Sequence, residues 1–413
     1  MAAARALAAR SLRVAVVEAR DRVGGRVHSR TIDAVTTPAE LGAEFIHGKA
    51  PATMALFREI GEAPVELGEE SWVFADGALQ REDRDFTEAA KLFEGAADLS
   101  SDVTADAYLQ QFAGDPAMRD DVARARAFVE GFDAADPAIA SARGIAFEWG
   151  SGADDTSLRP SKSYAPLVTH LYDDCIAAGV SFWLSSVVKR VAWKRGAVTI
   201  DANGPTFRAP HAIVTLPVGV LRRDGVVGFD PALPQRKRDA IGRIVMGPVV
   251  KVVMAFRVPF WEELDGGRYR EAAFFRSEIG PFIAYWTQLP ARTRLVSAWA
   301  GGPRASALCA LTEAECVASA ARGFGALFGE EDLAVGELSD AAAHDWNGDP
   351  FSCGAYSYLA VAAGDARERL GEAVDDTLFF AGEATSCDGQ GGTVNGAIET
   401  GMRAAEEILR CRS

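Results

Sequence analysis

The residues of this chain best suited to chemistry lie in a few short stretches. An apolar run, Leu12–Val17, ends on Glu18. In a dinucleotide-binding strand–helix–strand unit, an acid at the end of the second strand holds the ribose hydroxyls, roughly 20 residues after a glycine loop. Taken alone, an acid after a strand is equally a solvated strand end. The next stretch, Arg20-Asp21-Arg22-Val23-Gly24-Gly25-Arg26, sets two glycines between arginines. Such a loop lets backbone approach a phosphate that the guanidinium groups then pair with, or it is a plain charged turn. Further on, Phe379–Thr385 reads as a strand entering a Gly382-Glu383 turn, and Thr393-Val394-Asn395-Gly396 opens a helix. N–H groups at such a helix start can face a pyrophosphate. Lys251 lies inside the β-branched run Val249–Phe256. An ammonium is costly to bury there without a partner, although a lysine can also snorkel outward. His47 is one of five histidines. A neutral imidazole can accept a hydrogen bond from an ammonium, but a lone histidine is as well explained by structure.

These residues need elements to position them. Residues 2–10 are strong helix formers and Leu12–Val17 is a strand candidate. Residues 51–150 read as mostly helical, with a hairpin around Asp76-Gly77. A helix is predicted over Leu167–Ala178. Strands are predicted over Val187–Val191, Ala197–Ile200, Ala212–Leu216, Val249–Phe256 and Leu378–Ala381, and helices over Thr312–Phe328 and Gly396–Leu409. The nucleotide-like pieces stand at the start, the middle and the end of the chain, which predicts a domain built from discontinuous segments.

Bulk composition narrows the function. With 413 residues, 48% hydrophobic and 24% charged, the chain has material for two or three domains and a large core. Its net charge of −15 disfavours nucleic acid and anionic membranes and favours small cations. No apolar run reaches the length of a membrane-spanning helix. The Ala- and Arg-rich start leads straight into a strand and reads as a folded helix, not a transit peptide. Six cysteines occur with no CxxC pair and no zinc-like spacing to histidine, so no metal site is expected and a reducing cytoplasm is the default. Composition says nothing of oligomeric state.

The order and spacing of VVEARDRVGGRV (16–27), ELGAEFIHG (40–48), TLPVGVL (215–221), the 247–256 stretch, DWNGDPFSCGAYSY (345–358), FFAGEAT and TVNGAIETG (379–401) resemble the flavin-containing amine oxidase family. That family includes monoamine oxidases, polyamine oxidases and flavin-dependent lysine demethylases. The resemblance implies an α/β fold of two domains. A discontinuous Rossmann-like FAD domain would take residues 1–60, 158–240 and 350–413. A substrate domain of mixed sheet and helices would take 61–157 and 241–349. It also implies FAD as cofactor, with Glu18, Arg20, Gly24, Gly25, Arg26, Gly42, Ala43, Val188, Thr215, Pro217, Gly382, Glu383, Thr393 and Val394 around it. Lys251 matches the active-site lysine, which holds a water near flavin N5. His47 matches a histidine beside the substrate amine in polyamine oxidases. Tyr356 matches one wall of an aromatic cage whose other wall, a tyrosine in monoamine oxidases, is here Thr393.

The activity so implied is oxidation of a small cationic amine, a polyamine above all. A hydride passes to FAD and O2 reoxidises it, giving hydrogen peroxide, an aldehyde and an amine. Ala355 stands where monoamine oxidases carry the cysteine that links their flavin, so non-covalent binding is expected. Two departures from the family are visible. Counting back from Glu18, the glycine loop and its strand fall before Met1, so roughly 15–25 further residues are expected upstream. And Leu158–Tyr164 stands where relatives usually have glycines. An amino-acid oxidase of the same fold, and a non-catalytic remnant without FAD, stay open as alternatives.

Overall fold

The strand Val249–Phe256 organises the largest sheet described in the computed structural model, which describes all residues except 34, 69, 83–85, 152–156 and 412–413. All eight of its residues are buried, as a strand covered on both faces must be. Alternation sorts them. Val250, Val252, Met254 and Phe256 pack with Trp261, Phe275 and Phe324. Val253 and Ala255 pack with Ile32, Ala39 and Leu41, and Val249 with Ala134 and Trp346. Lys251 belongs to that second face and is the one polar residue in the strand.

This strand is second in a seven-stranded mixed sheet. The order is Leu338–Asp345, Val249–Phe256, Leu295–Gly301, Ala284–Trp286, Ala272–Ser277, Glu70–Ala75 and Ala78–Glu82. Register places His344, Lys251, Trp299, Ala284, Arg276, Val73 and Gln80 in one row across it. Directly opposed residues on neighbouring strands project to the same face, so this row shares one surface. The other face is closed by the helix Glu313–Ala326, whose start carries a capping box between Thr312 and Glu315. The hairpin at the far edge turns on Asp76 and Gly77, both at positive φ (52° and 80°), as its Asp-Gly sequence predicts.

Two parallel strand pairs lie on the nucleotide-like side. Ala15–Val17 pairs with Ser181–Trp183, and Ala212–Val214 with Leu378–Phe380. They unite segments far apart in sequence. The helices Ala2–Ala8 and Val394–Cys411 pack together through Ala3, Leu7, Ala404, Ala405 and Ile408. A separate sheet contains Thr206–Ala209, Ala197–Ala202, Val188–Lys194 and Gly228–Asp230 in that order. Thr206–Ala209 escaped the sequence reading because it is four residues long and lies between Pro205 and Pro210. Residues 86–149 fold as the helices Phe86–Glu94, Ala105–Leu109, Arg119–Gly131 and Ala142–Trp149, in line with the helical reading.

The segment after the double glycine is fixed by close backbone packing. The N–H of Leu41 donates to the carbonyl of His28, and that of Ala43 to the carbonyl of Arg26. Between them a Cβ on Gly42 would lie 1.9 Å from the Arg26 carbonyl oxygen. Gly42→Ala therefore has to push two backbones apart. We expect it to cost about 2 kcal/mol or more in urea unfolding, within or above the usual overpacking range. An unchanged unfolding free energy would contradict this packing.

Candidate active site

One continuous cavity of about 2400 Å³ runs between the parallel strand pairs and the seven-stranded sheet. Single drug-sized ligands occupy roughly 300–1,000 Å³, so there is room for a large cofactor and a substrate together. Every site residue named from the sequence lines it, from Glu18 and the double glycine to Lys251, Tyr356 and Val394.

On the cofactor side, Glu18 follows its strand directly. Its Oε1 accepts the Arg20 N–H at 2.9 Å, and Oε2 has no partner among the described residues. Gly24 and Gly25 take φ of 95° and 58°, where L-residues are strained, and no protein atom lies within 4 Å of where a Cβ on Gly25 would be. Gly382, at φ 121°, is equally open. Val188 begins its strand, and Thr215–Pro217 lead into the short helix Val218–Leu221. Thr393 caps the helix Val394–Cys411: its Oγ1 accepts the Gly396 N–H at 3.0 Å. An unpartnered carboxylate oxygen, glycines with open space before them and a long helix starting at the cavity fit a dinucleotide cofactor.

The arginines and Glu383 are used differently from a plain ligand list. Arg20 makes a bidentate pair with Asp349, at 2.8 and 2.9 Å, and donates to Ser352. Arg26 donates to Glu383 at 2.8 Å and to the Ala355 carbonyl at 2.7 Å. The second oxygen of Glu383 accepts from Ser357 and from the Gly392 N–H. Burial opposes its charge, but Arg26 and Arg367 outweigh burial and hold its carboxyl below the usual range. These side chains fasten cavity segments to one another. The cofactor meets them as a rigid wall.

On the catalytic side, Lys251 is 1% exposed. Its Nζ donates to Glu44 Oε2 at 2.6 Å and to the Gly42 carbonyl at 3.2 Å, and it sits 5.2 Å from the Trp286 ring centroid. An ammonium has three donors. The third has no acceptor among the described residues. Glu44 Oε1 in turn accepts from Arg159 at 2.7 Å and Gln288 at 3.2 Å. Burial works against the Glu44 charge, yet Lys251 and Arg159 carry its carboxyl below the usual range. Arg159 comes from the strand Ser157–Arg159, which pairs with Ile46–His47 on one side and Val65–Glu66 on the other. The stretch that departs from the glycine pattern of relatives thus opens as a strand that brings in this guanidinium.

His47 stands at the end of Ile46–His47, edge-on to Phe132 at 5.2 Å and to Phe45 at 6.2 Å. Its Nδ1 is buried without a partner. Burial drops its pKa from the usual value to about 4, so it is neutral at physiological pH. Tyr356 donates to the Phe132 carbonyl and stacks on Trp299, centroids 6.4 Å apart at 18°. Burial first, then Asp133, raise its phenol well above the usual range, which keeps it neutral. The sequence reading missed Trp286 and Trp299, although both are cavity aromatics. Their signal was the cross-strand register, which a single sequence does not display. Trp346 is packing: it is 2% exposed and donates to the Leu41 carbonyl. A Glu59–His170–Asp174 cluster lies outside the cavity and its carboxylates are both paired with Arg5.

The profile of the family described as flavin containing amine oxidoreductase matches residues 1–409. The chain belongs to this family. Its cofactor is accordingly FAD, in keeping with the cavity wall just described. Among curated relatives, Protein FLOWERING LOCUS D of Arabidopsis thaliana is 28% identical over 99% of this chain and 54% of that protein. Lysine-specific histone demethylase 1 homolog 1 of the same plant is 32% identical over 60% of this chain and 29% of its own length. The chain thus spans about half or less of these relatives. Solved structures of the same fold include putrescine oxidase bound to putrescine, with TM-score 0.81, 21% identity and coverage of 99% of this chain and 96% of that one. Cyclohexylamine oxidase from Brevibacterium oxydans IH-35A gives TM-score 0.80, 20% identity and coverage of 100% and 96%. In this amine oxidoreductase the expected α/β architecture is present.

The low pKa of His47 makes a pH prediction. Its folded value, about 4, lies below the unfolded value near 6.5, so unfolding takes up a proton between those limits. Its contribution to stability is complete above pH 6.5 and is lost as pH falls toward 4. His47→Phe should flatten the stability–pH curve in this window by up to about 1.4 kcal/mol per pH unit. An identical slope in variant and wild type, measured by urea unfolding at several pH values, would contradict a neutral His47.

Proposed function

We propose that this chain is an FAD-dependent oxidase of small cationic amines, with polyamines as the preferred class. The observation that carries the reading is His47. It is a half-buried, neutral imidazole whose buried Nδ1 has no partner, in a part of the cavity lined by Phe45, Phe132 and Tyr356. An imidazole that stays neutral to about pH 4 accepts a hydrogen bond from an ammonium and does not repel it. Tyr356 offers its ring face, and its hydroxyl is already committed to Phe132. Thr393, used as a helix cap, leaves the opposite side without an aromatic wall. A chain can then extend on both sides of the reacting carbon. Lys251, anchored by Glu44, lines the cavity with one N–H that has no acceptor among the described residues, and can hold a water there.

Bound FAD supplies the acceptor for hydride from the carbon beside nitrogen, and its reoxidation by O2 gives hydrogen peroxide, with an aldehyde and an amine as final products. Glu18, Gly24, Gly25, Gly382 and the start of the Val394–Cys411 helix would hold it, without a covalent link. Ala355 precedes Tyr356, and the nearby Cys353 is buried with its thiol on the Pro350 carbonyl.

An amino-acid oxidase would need an arginine for the substrate carboxylate. At this end of the cavity Arg159 is committed to Glu44, and farther out Arg276 pairs with Glu82 and Arg304 with Glu130. A second reading, a methylated lysine side chain on a peptide, is carried by the names of the curated relatives. Initial rates on spermine, spermidine, benzylamine, tyramine and a methyl-lysine peptide separate the readings. We expect kcat/KM for spermine or spermidine to exceed that for benzylamine at least tenfold, about 1.4 kcal/mol of transition-state binding. A preference for benzylamine or tyramine, or turnover of the peptide alone, would overturn the polyamine reading.

A further inference from the structure

The buried charges around Lys251 are arranged in a chain whose members come from four separate segments. Lys251 stands in the central strand, Glu44 in the segment after Gly42, Arg159 in the strand Ser157–Arg159 and Gln288 in the loop after Ala284–Trp286. Lys251, Glu44 and Arg159 are 1%, 6% and 5% exposed. None would be stable alone at that depth. A buried charge stripped of its partner is strongly destabilising. Glu44 uses both oxygens, one on Lys251 and one on Arg159 and Gln288, so it has no rotational freedom left. Arg159 is itself fixed by the Thr287 carbonyl and lies over the Phe45 ring, 5.4 Å from its centroid. The sum over Lys251, Glu44 and Arg159 is one net positive charge at the cavity wall.

We propose that Glu44 is the positioning residue for Lys251, and that Arg159 holds Glu44 in place and restores the positive charge that Glu44 would otherwise cancel. Glu44 fixes two things: where the Lys251 ammonium points, and that it keeps its proton. With the Gly42 carbonyl it takes two N–H groups, which leaves the third, on a side chain that lines the cavity, without an acceptor among the described residues. This rests on the reading of Lys251 as the active-site lysine.

Other charged groups around Lys251 are Glu40, whose pKa burial raises to about 7, and His344, its neighbour across the sheet. A pH dependence above pH 8 that vanishes once Lys251 is Met belongs to Lys251. In Glu44→Gln the ammonium keeps its burial and loses its counter-charge, which disfavours its charged form relative to the unfolded chain. A cation disfavoured in this way adds stability as pH rises toward its unfolded pKa.

The test is a double-mutant cycle of Glu44→Gln and Lys251→Met, read on flavin-free protein by urea unfolding from pH 8 to 10 and on FAD-loaded protein by anaerobic flavin reduction. We expect the stability deficit of Glu44→Gln to shrink as pH rises, and to lose that pH dependence once Lys251 is Met. We expect Glu44→Gln to slow reduction about tenfold or more in the wild-type background and less than about twofold in Lys251→Met, the non-additivity of residues acting as one unit. Equal slowing in both backgrounds, or a deficit independent of pH, would overturn the positioning role and leave Lys251 in the site. Unchanged reduction and reoxidation in Lys251→Met alone would instead remove the parent reading, and this inference with it. If Glu44→Gln does not fold, Glu44→Asp, which keeps the charge and shortens the reach, carries the kinetic cycle. The same non-additivity is then expected with a smaller effect, and additivity overturns the proposal.

Discussion

The Lys251–Glu44 contact is the constraint around which the cavity is built. A lysine only 1% exposed within an eight-residue buried strand must have its charge met inside the protein. Meeting it requires the segment after the double glycine to pass beneath the sheet at hydrogen-bond distance. That passage is possible because Gly42 has no side chain where the Arg26 carbonyl lies. The same segment then delivers His47 to the cavity, and pairing of Ile46–His47 with Ser157–Arg159 delivers Arg159. One buried ammonium thus ties the substrate sheet, the glycine segment and the neighbouring short strands into a single arrangement.

The cofactor side follows the same physics with other partners. Glu383 joins Arg26, Ser357 and the Gly392 N–H, and Asp349 joins Arg20, His344 and the Phe351 N–H. Both carboxyls lie below their usual range because cations and hydrogen bonds outweigh burial, Asp349 strongly so. Fastening of this kind holds a wall in shape before any ligand arrives. Preorganisation matters most where backbone N–H groups and glycines must sit within hydrogen-bond distance of a phosphate.

What the sequence made legible was local. Val249–Phe256 showed itself through β-branched residues, the Thr312 helix through its periodicity, and the hairpin through Asp76-Gly77. The position of Lys251 in an apolar strand called for a buried partner, and the ELGAEFIHG stretch offered one in Glu44 without marking it as such. What stayed hidden depends on contacts across long stretches of chain. Lys251 and Glu44 are 207 residues apart and Arg26 and Glu383 are 357 apart. Local propensity carries no trace of which arginine meets which acid at such separations. Arg26 reads from the sequence as a phosphate partner, and in the structure its guanidinium also meets Glu383 and the Ala355 carbonyl. Trp299 joined the cavity only through the register that sets it beside Lys251.

The central claim is that this cavity binds FAD and passes electrons from an amine to it. It is tested most directly by mixing FAD-loaded protein with spermidine in the absence of oxygen and following the flavin absorbance. With one equivalent of spermidine per flavin, rapid bleaching is expected, then full recovery of colour on admitting air with one hydrogen peroxide formed per flavin. A flavin that stays oxidised with spermidine and with every other amine tested would contradict it.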